Sequence, residues 1–292
     1  MACAKYFLSK SKPKINPQAL VRLINEALLE DIGSEDITSQ LSIAKNKKIK
    51  AKIIAKENFI LCGSLIAKKV FKTVDPGLKF KQMVKEGSCV RNRETIAIVS
   101  GSARSILAAE RVSLNLLSLL SGIATKTHKF VRKIYPFKTM ITDTRKTIPG
   151  LRELQKYAVR IGGGYNHRMR LDEMILIKDN HIKVANSCFN LLRIPSGKKV
   201  EIEVGNLNEF KKALQFKPDI IMLDNMKIAD IKKAMACPHL PVKLEASGGI
   251  RLENIRKYAA TGIDIISVGE LTDSVTSVDI SLDIHSLCKD LS

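Results

Sequence analysis

Short apolar runs that stop abruptly in charged or polar residues recur through the last half of this chain, and no other feature constrains its fold as strongly. Residues 139–142 lead into Asp143-Thr144-Arg145-Lys146, and 174–177 into Lys178-Asp179-Asn180-His181. Val200–Val204 carries Glu201 and Glu203, and 219–223 leads into Asp224-Asn225. Residues 242–244 lead into Glu245-Ala246-Ser247-Gly248-Gly249, and 263–268 into Gly269-Glu270. Helical patterns at 207–215, 229–236 and 252–260 separate the later runs. Strands that are apolar at consecutive positions are buried on both faces, as in a parallel sheet flanked by helices. In β/α barrels the functional groups stand at the carboxyl ends of the strands, where the charges stand here. About six such units can be counted, fewer than the eight of a full barrel, so a barrel variant and an open sheet both fit.

The first third reads differently. Asn16-Pro17 followed by Leu20, Leu23, Ile24, Ala27 and Leu28 predicts a capped helix with one apolar stripe. Lys48–Ala55 alternates lysine with apolar residues, the pattern of a half-exposed strand. Further short strands are expected at 59–62, 78–84 and 95–99, which together make a small α+β domain. A strong helix is expected over 105–121, ended by Gly122. Arg111 falls on its apolar stripe with Leu107 and Leu114, where a charge needs a reason.

Composition narrows the class of function. The net charge of +20 admits a polyanionic partner, but the basic residues are spread along all 292 positions and only 5% are aromatic. A single-strand nucleic-acid binder interleaves aromatic platforms with its positive charges, so a lysine-rich surface around an anionic small-molecule site is the better reading. The six cysteines form no CxxC pair, which argues against structural zinc and for reduced thiols in the cytoplasm. Neither a signal peptide nor a membrane-spanning run is expected.

The charged ends sort into three sets. Arg145, Lys146, His167, Arg168 and Lys178 are basic, and Gly162-Gly163-Gly164 precedes Tyr165-Asn166-His167-Arg168, allowing close backbone approach to a ligand. Taken singly, His167 fits a core histidine and the glycines fit a helix end; together the set suits a substrate with several carboxylates, which arginine binds bidentately. Glu203 and Asp224, on consecutive strand ends, offer the oxygen ligands that Mg2+ prefers, or an ion pair with Lys178 or Lys146. Ser247-Gly248-Gly249 and Val268-Gly269 expose backbone N–H groups of the kind that hold a phosphate. These sets do not by themselves choose phosphoribosyl transfer over other phosphate chemistry.

The ordered series does resemble one family. Leu28-Leu29-Glu30-Asp31-Ile32-Gly33 with Asp36-Ile37-Thr38, Ala109-Glu110-Arg111, Leu120-Ser121-Gly122-Ile123-Ala124-Thr125, Asp143-Thr144-Arg145-Lys146-Thr147, Gly163-Gly164-Tyr165-Asn166-His167-Arg168, Leu176-Ile177-Lys178-Asp179-Asn180-His181, Glu201-Ile202-Glu203-Val204, Leu223-Asp224-Asn225, Glu245-Ala246-Ser247-Gly248-Gly249 and Ser267-Val268-Gly269 follow the pattern of the quinolinate phosphoribosyltransferases. The resemblance implies an α/β fold, with an N-terminal α/β sandwich domain over 1–112, rejoined by 276–292, and an incomplete, open β/α barrel over 113–275. It implies quinolinate and phosphoribosyl pyrophosphate as substrates, and a cytoplasmic homodimer in which Arg111 reaches across the interface. Arg145, Lys146, His167, Arg168 and Lys178 would surround the substrate carboxylates. Glu203 and Asp224 would hold the ribose and Mg2+, with Lys146 beside them in the chemistry. Ser247, Gly248, Gly249 and Gly269 would take the 5-phosphate, with Thr144, Val268 and Glu270 completing the substrate pocket. Two positions depart from the family: Gly205 stands where an acidic residue is usual, and Arg170 where glycine is common. A related transferase with another acceptor, a Schiff-base barrel enzyme using Lys178 or Lys146, and an RNA-binding protein are the competing readings.

Overall fold

The computed structural model describes residues 15–185, 197–238 and 241–287. It divides into two compact units, one of residues 15–126, 153–162 and 275–287, the other of Thr127–Arg152 and Gly163–Ser274. The division falls at 126/127, inside a continuous helix with no break in its pattern, rather than at the expected 112/113.

The first unit opens with α1 (Pro17–Ile32), whose cap is Asn16: its side chain accepts from the backbone N–H groups of Gln18 and Ala19. α2 (Ile37–Ser42) is capped in the same way by Asp36. β1 (Lys48–Ala55), the short β2 (Phe59–Ile60), α3 (Ser64–Val74), β3 (Lys79–Gln82), the short β4 (Cys89–Val90) and β5 (Thr95–Ser102) follow. Ile49, Ala51, Ile53 and Ala55 of β1 are buried while Lys48 and Lys50 are exposed, which is the alternation the sequence shows. The last described strand of the chain, β12 (Ile280–Leu287), returns to pair antiparallel with β1 and gives the sheet order β12-β1-β5-β3.

α4 (Ala103–Lys133) runs well past the expected stop at Gly122. That glycine is interior, and a Cβ there would lie 2.1 Å from the carbonyl oxygen of Thr276 on the returning segment. It permits two backbones to touch, at the usual helix cost of about 1 kcal/mol relative to alanine. α4 is long and apolar enough by composition to cross a membrane, but 61% of its most apolar window is buried within the protein, as in a core helix. Its buried stripe passes through Ile106, Ala109, Leu117 and Leu120, whereas Arg111 is exposed. From Glu153 onward, α5 (Arg152–Ile161) also belongs to this unit.

The second unit is a six-stranded parallel sheet. Its strands are β6 (Met140–Thr142), β7 (Ile175–Ile177), β8 (Val200–Val204), β9 (Ile220–Asp224), β10 (Lys243–Ser247) and β11 (Ile265–Ser267). The helices α6 (Asp179–Ala185), α7 (Leu207–Gln215), α8 (Ile228–Ala236) and α9 (Ile255–Ala259) alternate with them. The order β6-β11-β10-β9-β8-β7 brings the first strand beside the last, while β6 and β7 remain unpaired edges among the described residues. This is the cyclic order of a β/α barrel left open between its first two strands. A single bridge from Thr142 to Tyr165 ties the segment before His167 to the β6 side of that seam. Parallel register then aligns the functional ends: Asp224 lies opposite Ser247, and Ser267 opposite Thr142.

Candidate active site

The carboxyl ends of the six strands surround a cavity of about 790 Å³. Arg145, Lys146, His167, Arg168, Lys178, Glu203, Asp224, Ser247, Gly248, Gly249 and Gly269 all line it, together with Thr144 and Glu270. Two expected site residues do not. Val268 is buried, and its backbone N–H donates to the Thr142 carbonyl, so it fastens β11 to β6 rather than facing a ligand. Arg111 belongs to the other unit and is exposed. Nor do the three glycines line the cavity: Gly162 closes the end of α5 through Ala158, and Gly163 takes the left-handed turn that follows.

The basic wall is built from two loops. After β6, the backbone of Lys146 is held at its N–H by the Thr144 hydroxyl and at its carbonyl by the Thr272 hydroxyl. Arg152 braces the same loop by donating to Thr147 Oγ1 and to the carbonyls of Arg145 and Met169. Before β7, Asp143 accepts from the side-chain amide of Asn166 and the backbone N–H of His167, which fixes the His167-Arg168 pair. Burial and the neighbouring Arg145 guanidinium pull the Arg168 pKa down, with Glu201 opposing them. Two crowded guanidiniums, their buried Nε atoms without partners among the described residues, form a site that favours an incoming anion.

Across the cavity the acidic pair is already engaged. Lys178 Nζ donates to Glu203 Oε2 at 2.8 Å, the lysine being 44% exposed and the glutamate 13%. Asp224 accepts from the side-chain amide of Asn225 at 2.8 Å. Asn225 has a left-handed backbone (φ 53°) and donates its N–H to Ser247. A Cβ on Gly248 would lie 2.2 Å from Asn225 Oδ1, and Gly248 itself has φ 91°. Asn225 thus ties the acidic strand end to the glycine turn, and Gly248 makes room for it. Gly248→Ala is expected to cost about 1–3 kcal/mol of stability and less in an Asn225→Ala background, where the clash is gone. Urea denaturation of the four proteins checks this; equal losses in both backgrounds would contradict it.

Beneath His167 lie residues to which the sequence reading gave no role. Glu201 and Glu245 are buried, and their nearest oxygens lie 2.9 and 3.9 Å from His167 Nε2. A signal for them was present: each is two residues before a cavity residue on its strand and so shares that residue's face. Burial, followed by the charge of Glu201, pushes the Glu245 carboxyl up to about 8, with His167 opposing. Ligand atoms of this trio lie within 4.8 Å of one another, close enough to hold a cation. Glu201 is already engaged by His167 and burial pushes the Glu245 pKa up, whereas Glu203 and Asp224 line the cavity at consecutive strand ends, which makes that pair the better metal donors. A carboxyl whose pKa is raised on folding stabilises the fold fully below its unfolded value near 4.5, and that contribution fades as pH rises toward about 8. Glu245→Gln cannot ionise, so its melting temperature should gain on the native protein's between pH 5 and pH 8; a constant difference would contradict the assignment.

The departures at 205 and 170 are accounted for locally. Gly205 donates its N–H to Glu209 Oε2 in the cap of α7, and Glu209 lies outside the cavity lining. Arg170 is exposed and faces Asp172 and Glu173, so it adds no charge to the cavity.

Comparison with known proteins decides the family. Residues 36–121 match the quinolinate phosphoribosyl transferase N-terminal domain, and residues 123–283 match the C-terminal domain. The chain belongs to the quinolinate phosphoribosyltransferase family. It is 42% identical over 275 residues to the probable nicotinate-nucleotide pyrophosphorylase [carboxylating] of Bacillus subtilis, covering 92% of this chain and 95% of that one. The solved nicotinate-nucleotide pyrophosphorylase of Francisella tularensis superposes with a TM-score of 0.88 at 42% identity, covering 94% of this chain and 99% of that one. The Ehrlichia chaffeensis protein of the same name superposes at 0.87 with 38% identity, covering 93% and 100%. Family membership fits the cavity's three chemical faces: paired guanidiniums, paired strand-end carboxylates and a glycine turn.

Proposed function

We propose that this chain transfers the phosphoribosyl group of phosphoribosyl pyrophosphate to quinolinate, giving nicotinate mononucleotide, pyrophosphate and carbon dioxide. One observation carries the reading: Arg145 and Arg168 converge on the same cavity as Glu203, Asp224 and the Ser247-Gly248-Gly249 turn. A pyridine dicarboxylate suits the first group, a ribose the second and a 5-phosphate the third. Arg145, Arg168, His167 and Lys178 hold the two carboxylates, and the backbone N–H groups around Gly248, Gly249 and Gly269 hold the phosphate, with Ser247. Thr144 and Glu270 complete the wall.

In this reading Glu203 and Asp224 face the ribose, where their charge favours the positive character that develops at the anomeric carbon as the bond to pyrophosphate breaks. The ring nitrogen of quinolinate attacks that carbon. The resulting pyridinium accepts the electron pair left at C2 when the adjacent carboxylate departs as carbon dioxide, and a proton replaces it. Lys178 must leave Glu203 for a substrate carboxylate, which frees Glu203 for the ribose. Glu203 and Asp224 also suit Mg2+, being carboxylates with space for water and phosphate oxygens. Held by those two carboxylates, the ion would supply positive charge against the departing pyrophosphate. Lys146, on the basic wall of the same cavity, adds a further cation.

We read the functional assembly as a cytoplasmic homodimer in which the partner subunit's Arg111 reaches each cavity; its exposure on α4 supports this. The ion pair of Lys178 with Glu203 disfavours a Schiff base at that lysine. Chelation of divalent metal with EDTA tests the Mg2+ assignment. Turnover should disappear and return on adding Mg2+, and Glu203→Gln should raise the Mg2+ concentration needed. Undiminished turnover in EDTA would remove metal from the account.

A further inference from the structure

His167 stands in the basic wall, and the acids behind it have no part in the reaction described above. Its Nε2 points at Glu201 Oε2, 2.9 Å away, with Glu245 Oε1 at 3.9 Å. Glu201 and Glu245 are 0% and 1% exposed. Glu201 Oε1 finds no hydrogen bond among the described residues, and the Glu245 carboxyl has only a poorly formed contact with the Ser267 hydroxyl. Two buried carboxyls with so few donors cost the fold stability, and an apolar pair of similar volume would serve it better. Their use therefore lies in the group they share.

We infer that Glu201 and Glu245 are positioning residues for His167: they turn its Nε2 inward and hold the ring as an imidazolium, giving a carboxylate-bearing substrate a third cation beside Arg145 and Arg168. The inference rests on the quinolinate reading for its substrate and on geometry for the rest. Among the described residues, the charged and titratable groups near the ring include Glu201 from β8, Glu245 from β10, Asp143 and Arg145 from the loop after β6, and the adjacent Arg168. Burial and the neighbouring Glu201 push the Glu245 pKa up, Glu201 is the nearer of the two carboxyls to the ring, and Asp143 accepts from the His167 backbone N–H. An imidazole that gains an anionic partner on folding keeps its proton above the ordinary value of about 6.5.

The experiment is a nitrogen-15 NMR titration of the five histidines, with His167 assigned by its loss in His167→Asn, alongside quinolinate kinetics of Glu201→Gln. His167 should remain an imidazolium at pH 7.5 in the native protein and lose its proton near or below pH 6.5 in Glu201→Gln. The variant's KM for quinolinate should rise about tenfold or more at pH 8, as expected for a lost charged hydrogen bond, but change little at pH 5.5. A neutral His167 at pH 7.5 in the native protein, or a KM increase independent of pH, would overturn the inference. If Glu201→Gln does not fold, the native titration decides alone. Since that titration uses no substrate, a failure of the quinolinate reading is seen separately, as absent turnover by the native protein.

Discussion

Quinolinate should be used with a kcat/KM about 10³- to 10⁵-fold above that of nicotinate. The two acids share the ring nitrogen that attacks the sugar and differ by one carboxylate. In the proposed reading that carboxylate would meet Arg145 and Arg168, whose Nε atoms are buried without partners among the described residues and whose guanidiniums repel one another. Leaving one unmatched around the smaller acid incurs the penalty of a polar site whose partner is missing, the situation in which enzymes reject analogues by four to five orders of magnitude. The lower end of the range allows for the openness of Lys178, which water can serve. Steady-state kinetics with both acids at saturating phosphoribosyl pyrophosphate checks this. Efficiencies within tenfold of each other would mean that the basic wall does not read the second carboxylate.

The other large effect concerns Arg111. Arg111→Ala should lower kcat/KM about 100-fold or more, although the side chain lies outside the cavity within its own chain. Lys178→Ala, on the cavity wall, should also be strongly impaired. If each cavity is completed by the partner subunit's Arg111, mixing and reassembling the two variants restores one intact site in every heterodimer. Random pairing then recovers about a quarter of the native activity by two-fold symmetry. No recovery from variants shown to exchange subunits would remove Arg111 from the shared site. The exposed position of Arg111 makes the experiment informative, because its replacement leaves the buried stripe of α4 intact.

The parallel sheet was legible because its signal is periodic and repeated: six apolar runs became six strands, with the charged ends gathered at one cavity. β1 was legible for the same reason, its lysines alternating with Ile49, Ala51 and Ile53. The length of α4 was not, since Gly122 reads as a stop until Thr276, more than 150 residues later in the chain, is known to press against it. The face of α4 that carries Arg111 was misread by a small rotation. Leu114 and Leu117 are buried as expected, but Leu107 is only half-buried, and Ile106 and Ala109 are buried in its place. Gly162-Gly163-Gly164 misled in the other direction, because a glycine run signals backbone freedom without saying whether a ligand or a helix end uses it. Glu201 and Glu245 were visible as residues but not as a pair, since β9 lies between their strands in the sheet. Only the folded order brings both to His167. The large positive charge finds a plain outlet at least in part, in exposed lysines such as Lys48, Lys50, Lys79 and Lys81 on the outer rows of the first unit's sheet.

The most direct test of the account follows carbon dioxide and pyrophosphate together, from quinolinate labelled in its 2-carboxyl group, with phosphoribosyl pyrophosphate and Mg2+. The account predicts release of both in equal amounts, dependent on quinolinate, with nicotinate mononucleotide as the product. Pyrophosphate release without labelled carbon dioxide, or no release from folded protein, would contradict it and point to a different acceptor on the same scaffold.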